Sequence, residues 1–355
     1  MLGAVALVAA CGDEKPRARP AVSTPDAQQG IQYGQPETAP AATAPAATAP
    51  TGTTEFETRG CQGCPPGVVT PEAKALKHGV QRIAFTRATA VSRADIWIAA
   101  ADGSGEIRVT REPGLEMSPA WSPDGKRIAF VSDRAGGNLD LYTVRDDGTD
   151  LVRLTTSPGD EFSPAWSPDG KTIAVTRSAD QRADIVLVPV AGGAERVLTR
   201  GQWASWMPDS RELLLTEGPF TNGTLALIDT VTKKVRQIPL KVPNAHQGSL
   251  SPDGRTVIFS VSDNGFSGVP SDWNEELWTA DVANGDGLKR LTTRSGNDHW
   301  PVSWSPDGSQ VVWTADDTEG GADLYVARSD ATGVRRLTSD PGYDAWPAWA
   351  PTPQP

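Results

Sequence analysis

The chain has 355 residues, with 33 Lys and Arg against 44 Asp and Glu, and a formal net charge of −11 at pH 7. Nucleic-acid binding depends on basic side chains that neutralise phosphates, and no block of basic residues is present, so the composition excludes a nucleic-acid partner. The length would allow about two domains, but one repeated unit occupies most of it.

The first ten residues are apolar throughout and end in Val8-Ala-Ala-Cys11. Such a run is far too short to span a bilayer. It resembles the lipobox of bacterial lipoproteins, in which cleavage precedes a lipid-carrying Cys, although no Lys or Arg precedes the apolar run here. The resemblance implies a signal peptide over 1–10 and lipidation of Cys11. It also implies an extracytoplasmic protein of the cell envelope that meets the membrane only through its anchor.

The segment after Cys11 has the composition of a tether. Within Pro36–Thr54, 17 of 19 residues are Pro, Ala or Thr. Such a stretch has no apolar surface to bury and favours extended, solvated chain. We expect a lipid-anchored, disordered tether over 11–60.

A connector over 61–76 contains Cys61-Gln-Gly-Cys64. A c-type haem site is excluded because Pro65 stands where His is required. A zinc site would need further ligands, and a thioredoxin-like motif would open a helix in a βαβ setting. In an oxidising compartment the expected outcome is a local disulfide between Cys61 and Cys64.

From residue 77 onward the chain repeats one motif, which reads Pro-Ala-Trp-Ser-Pro-Asp-Gly in its best copies. Its aromatic residue, or a Leu in the same place, recurs at Trp121, Trp166, Trp206, Leu250, Trp304 and Trp349. The spacings are 45, 40, 44, 54 and 45 residues. A fixed period of about 40–45 residues is the length of a four-stranded propeller blade.

One repeat predicts four short strands. Pro119–Trp121 begins the unit, and Ser122–Gly125 has the residues of a tight turn. The other three strands are Arg127–Val131, Asp140–Val144 and Leu151–Thr155, the first of them rich in β-formers. Since no run has helical spacing, the predicted fold is all-β.

The count of units follows from the second strand, which recurs at Ile83–Thr86, Ile128–Val131, Ile173–Thr176, Leu213–Thr216, Val257–Ser260 and Val311–Thr314. The first copy lacks a preceding Trp motif, and the last Pro-Ala-Trp lacks a second strand. The two half-units complete each other if Ala345–Pro351 pairs beside Ile83–Thr86. We therefore predict a six-bladed β-propeller over 77–355, in which strands from both termini close one blade.

Repeats of the form Trp-Ser-Pro-Asp-Gly, Ile-Ala-Phe, Asp-Leu-Tyr and Arg-Leu-Thr resemble those of TolB-type propellers, over about residues 77–351. The resemblance implies the fold. It does not fix a function, since similar propellers serve as periplasmic partner-binding proteins, as appendages of peptidases, and in some lyases.

The loops that enter the first strand of each unit should ring one mouth of the central channel. They combine carboxylates with aromatic and polar side chains, which suits a peptide with basic or apolar side chains, or a sugar. The predicted ligand-binding residues are Glu116, Asp160, Glu161, Trp203, His246, Gln247, Asp298, His299, Trp300, Tyr343, Asp344 and Trp346.

We expect a binding module for an envelope protein or peptide, or a glycan, acting as a monomer without cofactor, metal or catalysis. No nucleophile elbow is present, because Gly265-Phe-Ser-Gly268 lacks the spacing. Two alternatives stay open. One is a carbohydrate-active or metal-dependent lyase, which would need His246 and His299 to converge; the other is a structural spacer.

Overall fold

The computed structural model describes residues 80–352, except 91, 180–181, 219–222, 263–274, 293–297, 317–320 and 341. The side chains at 262, 298–300 and 316 are also outside it. The predicted signal peptide, tether and connector, with Cys11, Cys61 and Cys64, lie outside the described residues.

The described part of the chain is built from β-strands. In chain order these are β1 (Arg82–Ala90), β2 (Arg93–Ala100), β3 (Glu106–Arg108), β4 (Glu116–Trp121), β5 (Arg127–Ser132), β6 (Asp140–Arg145), β7 (Val152–Arg153), β8 (Asp160–Trp166), β9 (Thr172–Ala179), β10 (Arg182–Pro189), β11 (Arg196–Arg200) and β12 (Gln202–Trp206). They continue as β13 (Glu212–Glu217), β14 (Thr224–Asp229), β15 (Val235–Gln237), β16 (Ala245–Leu250), β17 (Thr256–Ser262), β18 (Glu275–Asp281), β19 (Lys289–Arg290), β20 (Asp298–Trp304), β21 (Gln310–Asp316), β22 (Ala322–Arg328), β23 (Arg335–Arg336) and β24 (Tyr343–Trp349). Over these ranges, no helix is long and apolar enough to cross a membrane.

The strands form small antiparallel sheets. Four sheets each contain four consecutive strands, namely β4–β7, β8–β11, β12–β15 and β16–β19. The fifth sheet has eight strands in two halves, namely β20–β23 and β24 with β1–β3. A single bridge between Ala322 and Tyr343 joins the two halves. The described strands thus make six groups of four, which confirms the all-β prediction.

The first strand of each group lies innermost. These inner strands, β4, β8, β12, β16, β20 and β24, each contact the next one along, and the last, β24, contacts the first, β4, so they close a ring. Buried apolar clusters fill the spaces between neighbouring groups: Ile98 packs with Phe130 across one space, and Leu214 with Phe259 across another. This is the layout of a propeller, in which a sheet buries its faces only against its neighbours.

The strand β24 closes the ring as predicted. It pairs antiparallel with β1, with Ile83 opposite Trp349 and Thr86 opposite Ala345. Phe85 and Trp349 then join a buried cluster with Val312 of the last group. Strands from the two ends of the repeat region therefore complete one group.

The predicted inner strands are too short. The residues assigned to loops before each Pro-Ala-Trp motif belong to the strands themselves, since β4 begins at Glu116 and β24 at Tyr343. Each inner strand has a bulge in this part, for example between Met117 and Ala120. A bulge bends the strand without ending it, and this continues the pairing through residues that a sequence pattern assigns to a loop.

The repeated motif residues join the groups to one another. The indole Nε1 of Trp121 donates to the carbonyl of Ala348 over 3.1 Å, and that of Trp206 donates to the carbonyl of Ala165 over 3.0 Å. In the turns, the Ser122 hydroxyl donates to the Asp124 carboxylate over 2.6 Å. Several of the repeated Trp residues therefore join neighbouring groups, while the Ser and Asp of the turn stabilise the turn itself.

Candidate functional site

The inner strands enclose a central channel of about 510 Å³. One part of its lining consists of the residues that lie three positions before the repeated Trp, or before the Leu that replaces it, in each unit. Another part consists of prolines of the turns, such as Pro123 and Pro351. We call the first set the bulge ring; its members are Ser118, Ser163, Trp203, Gln247, Pro301 and Trp346.

The backbone of the bulge ring is unusual. Five of its six members have positive φ, between 48° and 57°, although none of them is Gly. The sixth is Pro301, whose ring fixes φ at a negative value. Non-Gly residues in this conformation carry a strain of about 1 kcal/mol or more, and such strain clusters at binding sites.

Three members of the ring are fixed by the preceding group. The backbone N–H groups of Ser118, Trp203 and Gln247 donate to threonine hydroxyls of second strands over 3.0 or 3.1 Å. For Trp203 the acceptor is Thr176, and for Gln247 it is Thr216. These bonds position the side chains at the channel independently of any ligand.

Three of the predicted site residues line the channel, namely Trp203, Gln247 and Trp346. Trp203 and Trp346 lie three inner strands apart in either direction around the ring, and hence on opposite sides of the channel. Ser118 and Ser163 separate them on one side, and Gln247 and Pro301 on the other. The bulge ring therefore has one Trp on each of two opposite sides of the channel, which we also call the slot, and three motif Trp residues line it as well.

The predicted carboxylates whose side chains are described do not line this slot. Glu116, Glu161 and Asp344 are fully buried and form ion pairs within their own groups, with Arg134, Arg177 and Arg87 respectively. Burial raises the pKa of all three carboxyl groups, while hydrogen bonds from threonine and arginine oppose the rise.

The hydrogen bonds of Glu161 show what such a buried carboxylate does in the fold. Glu161 accepts a hydrogen bond from the backbone N–H of Leu141 in the preceding group over 2.9 Å, and it also bonds the Thr155 hydroxyl. It therefore ties two groups together. Glu161, which the sequence assigned to a ligand surface, instead stabilises the contact between neighbouring groups.

Asp160 and Tyr343 are not among the described residues that line the channel. The Asp160 carboxylate accepts from the N–H of Leu139 over 3.0 Å, and Tyr343 packs against a buried cluster with Met117 and Ala345. Asp298, His299 and Trp300 belong to β20, but their side chains lie outside the described residues.

His246 is buried directly behind Trp203, with ring centroids 6.2 Å apart. Its Nε2 is 3.0 Å from Glu275 Oε1, and its Nδ1 is 2.9 Å from the carbonyl of Asn244. Burial lowers the pKa of His246, but the Glu275 carboxylate and the Asn244 carbonyl outweigh it, so the net pKa is raised.

The lining of the channel contains no charged side chain among the residues that the structure describes. Likewise, no three His, Cys, Asp or Glu side chains of the described ranges converge as a metal site would need. Ser118, Ser163 and Pro301 also line the channel, although they are not among the predicted ligand-binding residues. They lie in the segments that were expected to ring the channel mouth, each three residues before the repeated aromatic.

Taken together, the ring of antiparallel sheets and the slot at its centre define a β-propeller with a candidate ligand channel. The sequence profile of the TolB beta propeller domain matches residues 70–249. The chain belongs to this family, as the repeats predicted.

Curated relatives match a shorter region. The Tol-Pal system protein TolB of Anaeromyxobacter dehalogenans is 37% identical over 99 residues, which are 28% of this chain and 20% of that protein. The match thus spans about one fifth of the length of that relative.

Two solved structures show the same fold. TolB from Acinetobacter baumannii matches with a TM-score of 0.66 and 24% identity, over 77% of this chain and 69% of that one. A putative TolB from Agrobacterium tumefaciens matches with a TM-score of 0.59 and 20% identity, over 74% and 91%.

Proposed function

We propose that the protein is an extracytoplasmic binding module of the cell envelope, whose central channel accepts a segment of a protein partner. The observation that carries this proposal is the bulge ring. Its frame repeats around the channel, but its side chains differ from group to group: two Trp, two Ser, one Gln and one Pro. A scaffold that keeps its backbone and varies the side chains at one surface is suited to recognition.

The dimensions and chemistry of the channel support the proposal. A volume of about 510 Å³ lies within the range of small-ligand and peptide pockets, roughly 300–1,000 Å³. Trp is enriched among the residues that dominate binding free energy. The name of the curated relative, a Tol-Pal system protein, agrees with a role in the envelope.

A photo-crosslinking experiment in intact cells tests the site. A benzophenone amino acid replaces Ser163 in the bulge ring or, as the control, Val231, which is 77% exposed and does not line the channel. We expect position 163 to crosslink to one envelope protein, and Trp346→Ala in the same chain to abolish that crosslink. If only position 231 yields a product, the binding surface lies elsewhere.

The envelope location rests on Val8-Ala-Ala-Cys11 and the tether, which lie outside the described residues. A diacyl anchor would hold the protein stably where a single acyl chain would not. Cell fractionation of the Cys11→Ser variant tests this, with Cys61→Ser as the control. We expect Cys11→Ser alone to leave the membrane fraction; equal retention of both variants contradicts lipid anchoring at Cys11.

A further inference from the structure

The side-chain amide of Gln247 is buried at the channel without a hydrogen-bond partner. The residue is 4% exposed, and neither Oε1 nor Nε2 has a partner among the described residues. Leaving a buried donor or acceptor unpaired costs about 1–3 kcal/mol. Because buried polar groups in native proteins are nearly always paired, an orphan amide in a channel wall indicates a missing partner.

The backbone holds Gln247 at the channel. Its N–H bonds Thr216 over 3.0 Å, and its φ of 53° is imposed by the bulge in β16. The side chain has three torsions, and rotation about them can turn the amide toward an occupant of the channel. The main chain is thus fixed, and the buried amide reaches an occupant of the channel by such a rotation.

The surroundings define what the occupant must look like. Trp203 neighbours Gln247 on the preceding inner strand, and Trp346 lies two strands further on, across the slot. Since no charged side chain lines the described channel, a charged occupant would lose its hydration without gaining a counter-ion. The occupant is therefore uncharged where it passes Gln247.

The amide group supplies both hydrogen-bonding roles. Its oxygen accepts and its nitrogen donates, side by side. This matches the N–H and C=O of one residue in an extended peptide, which lie on the same edge of the strand. A flat, apolar segment of such a peptide also suits aromatic walls like Trp203 and Trp346.

We propose that the channel binds an uncharged, extended peptide segment, and that Gln247 reads its main chain through a paired hydrogen bond. This inference rests on the proposed function and names the ligand class for the same site. It replaces the basic peptide expected from the sequence, because Glu116, Glu161 and Asp344 are already paired with arginines.

Capped heptapeptide libraries, N-acetylated and C-amidated, test the inference on the full-length protein. One library is neutral and the other carries one Lys or Arg in each peptide. The variants are Gln247→Met, which keeps the volume but removes the amide, and Gln237→Met as the matched control, since Gln237 is exposed on β15. Thermal melting checks that both variants fold.

We expect the wild-type protein to prefer neutral peptides, and Gln247→Met to weaken the best of them by about tenfold or more, with Gln237→Met unchanged. N-methylation of the peptide, moved one residue at a time, should cause a similar loss at one position. Raising salt from about 0.05 to 0.5 M should leave the affinity unchanged. The N-methyl scan uses the unaltered protein, and it decides the question even if Gln247→Met does not fold.

Other outcomes overturn the inference in distinguishable ways. A preference for basic peptides that salt weakens, with Gln247→Met unaffected, rejects main-chain reading but leaves protein binding in place. Binding of no peptide from either library, with binding on a glycan array, rejects both the inference and the proposed function. Ordered water alone on the amide in a crystal of the peptide complex also rejects the role of Gln247.

Discussion

Arg87 and Asp344 form a two-point ion pair although 257 positions separate them in the chain. The distances are 2.7 Å from Nε to Oδ1 and 2.8 Å from Nη2 to Oδ2. The residues lie opposite each other on β1 and β24, and the guanidinium also stacks on Trp97 at 4.8 Å. The ion pair therefore links β24, at the end of the repeat region, to β1, at its beginning, and both side chains are buried.

Asp344→Asn should therefore destabilise the protein strongly, by roughly 3 kcal/mol, because it leaves a buried guanidinium with less compensation. Asp340→Asn is the matched control: Asp340 meets the same Arg87 at 3.1 Å, but its carboxylate is 46% exposed. An exposed pair contributes about 0–1 kcal/mol. Urea unfolding of both variants measures the difference; equal losses contradict the buried closure.

Ending the chain at residue 342 removes β24 and should abolish cooperative unfolding. The deletion exposes the edge of β1 and the cluster around Ile83 and Phe85. An unpaired strand edge beside apolar surface promotes aggregation. Calorimetry and light scattering test this against a chain that ends at Thr352. A deletion variant that melts as cooperatively and as high as this control disproves closure by β24.

Thr216→Val should cost about 1–2 kcal/mol, because it removes the acceptor of the Gln247 N–H at a buried site. Thr314 is the natural control. It occupies the matching place in the last group, is equally buried, and its hydroxyl has no partner among the described residues.

Thr314→Val should therefore be neutral or stabilising, since it replaces an unpaired buried hydroxyl with a methyl group. Both variants keep the side-chain shape, so denaturant unfolding compares the hydrogen bond alone. A loss of stability in Thr314→Val as large as that in Thr216→Val would mean that the bond to the bulge ring contributes nothing.

Much of the fold can be predicted from the sequence because the same strand pattern occurs six times along the chain. The second strands, the Ser-Pro-Asp-Gly turns and the pairing of Ala345–Trp349 with Ile83–Thr86 follow from apolar runs and turn residues. The third copy of the turn shows how far this extends. Ser210 replaces Gly, yet it keeps a φ of 58°, and its hydroxyl accepts from the N–H of Asp169 over 3.0 Å.

The candidate site was less predictable because strand bulges have no strong sequence signal when Gly is absent. Ser118 and Trp203 adopt positive φ, a conformation that their side chains do not favour. The bulges extend the inner strands backward and bury Glu116 and Asp344, which a loop would have exposed. Acidic residues beside a Pro-Ala-Trp motif therefore looked like a ligand surface when they were ion-pair partners.

His246 gives the last prediction, a loss of stability as the pH rises. Its pKa is raised in the folded protein, since Glu275 and the carbonyl of Asn244 outweigh the opposing effect of burial. The unfolded value is about 6.5. The protonated ring therefore contributes stability that is complete below that pH and is lost as the pH rises through the folded pKa.

The free energy of unfolding should accordingly fall as the pH rises above about 6.5, and less so in Glu275→Gln. NMR titration of the His246 ring measures the cause directly. Glu275→Gln removes the carboxylate but keeps the burial, so the pKa of His246 should drop below its ordinary value. Glu195→Gln serves as the control, because Glu195 pairs with Arg177 in another group. If His246 titrates identically in both variants, Glu275 is not the cause of its raised pKa.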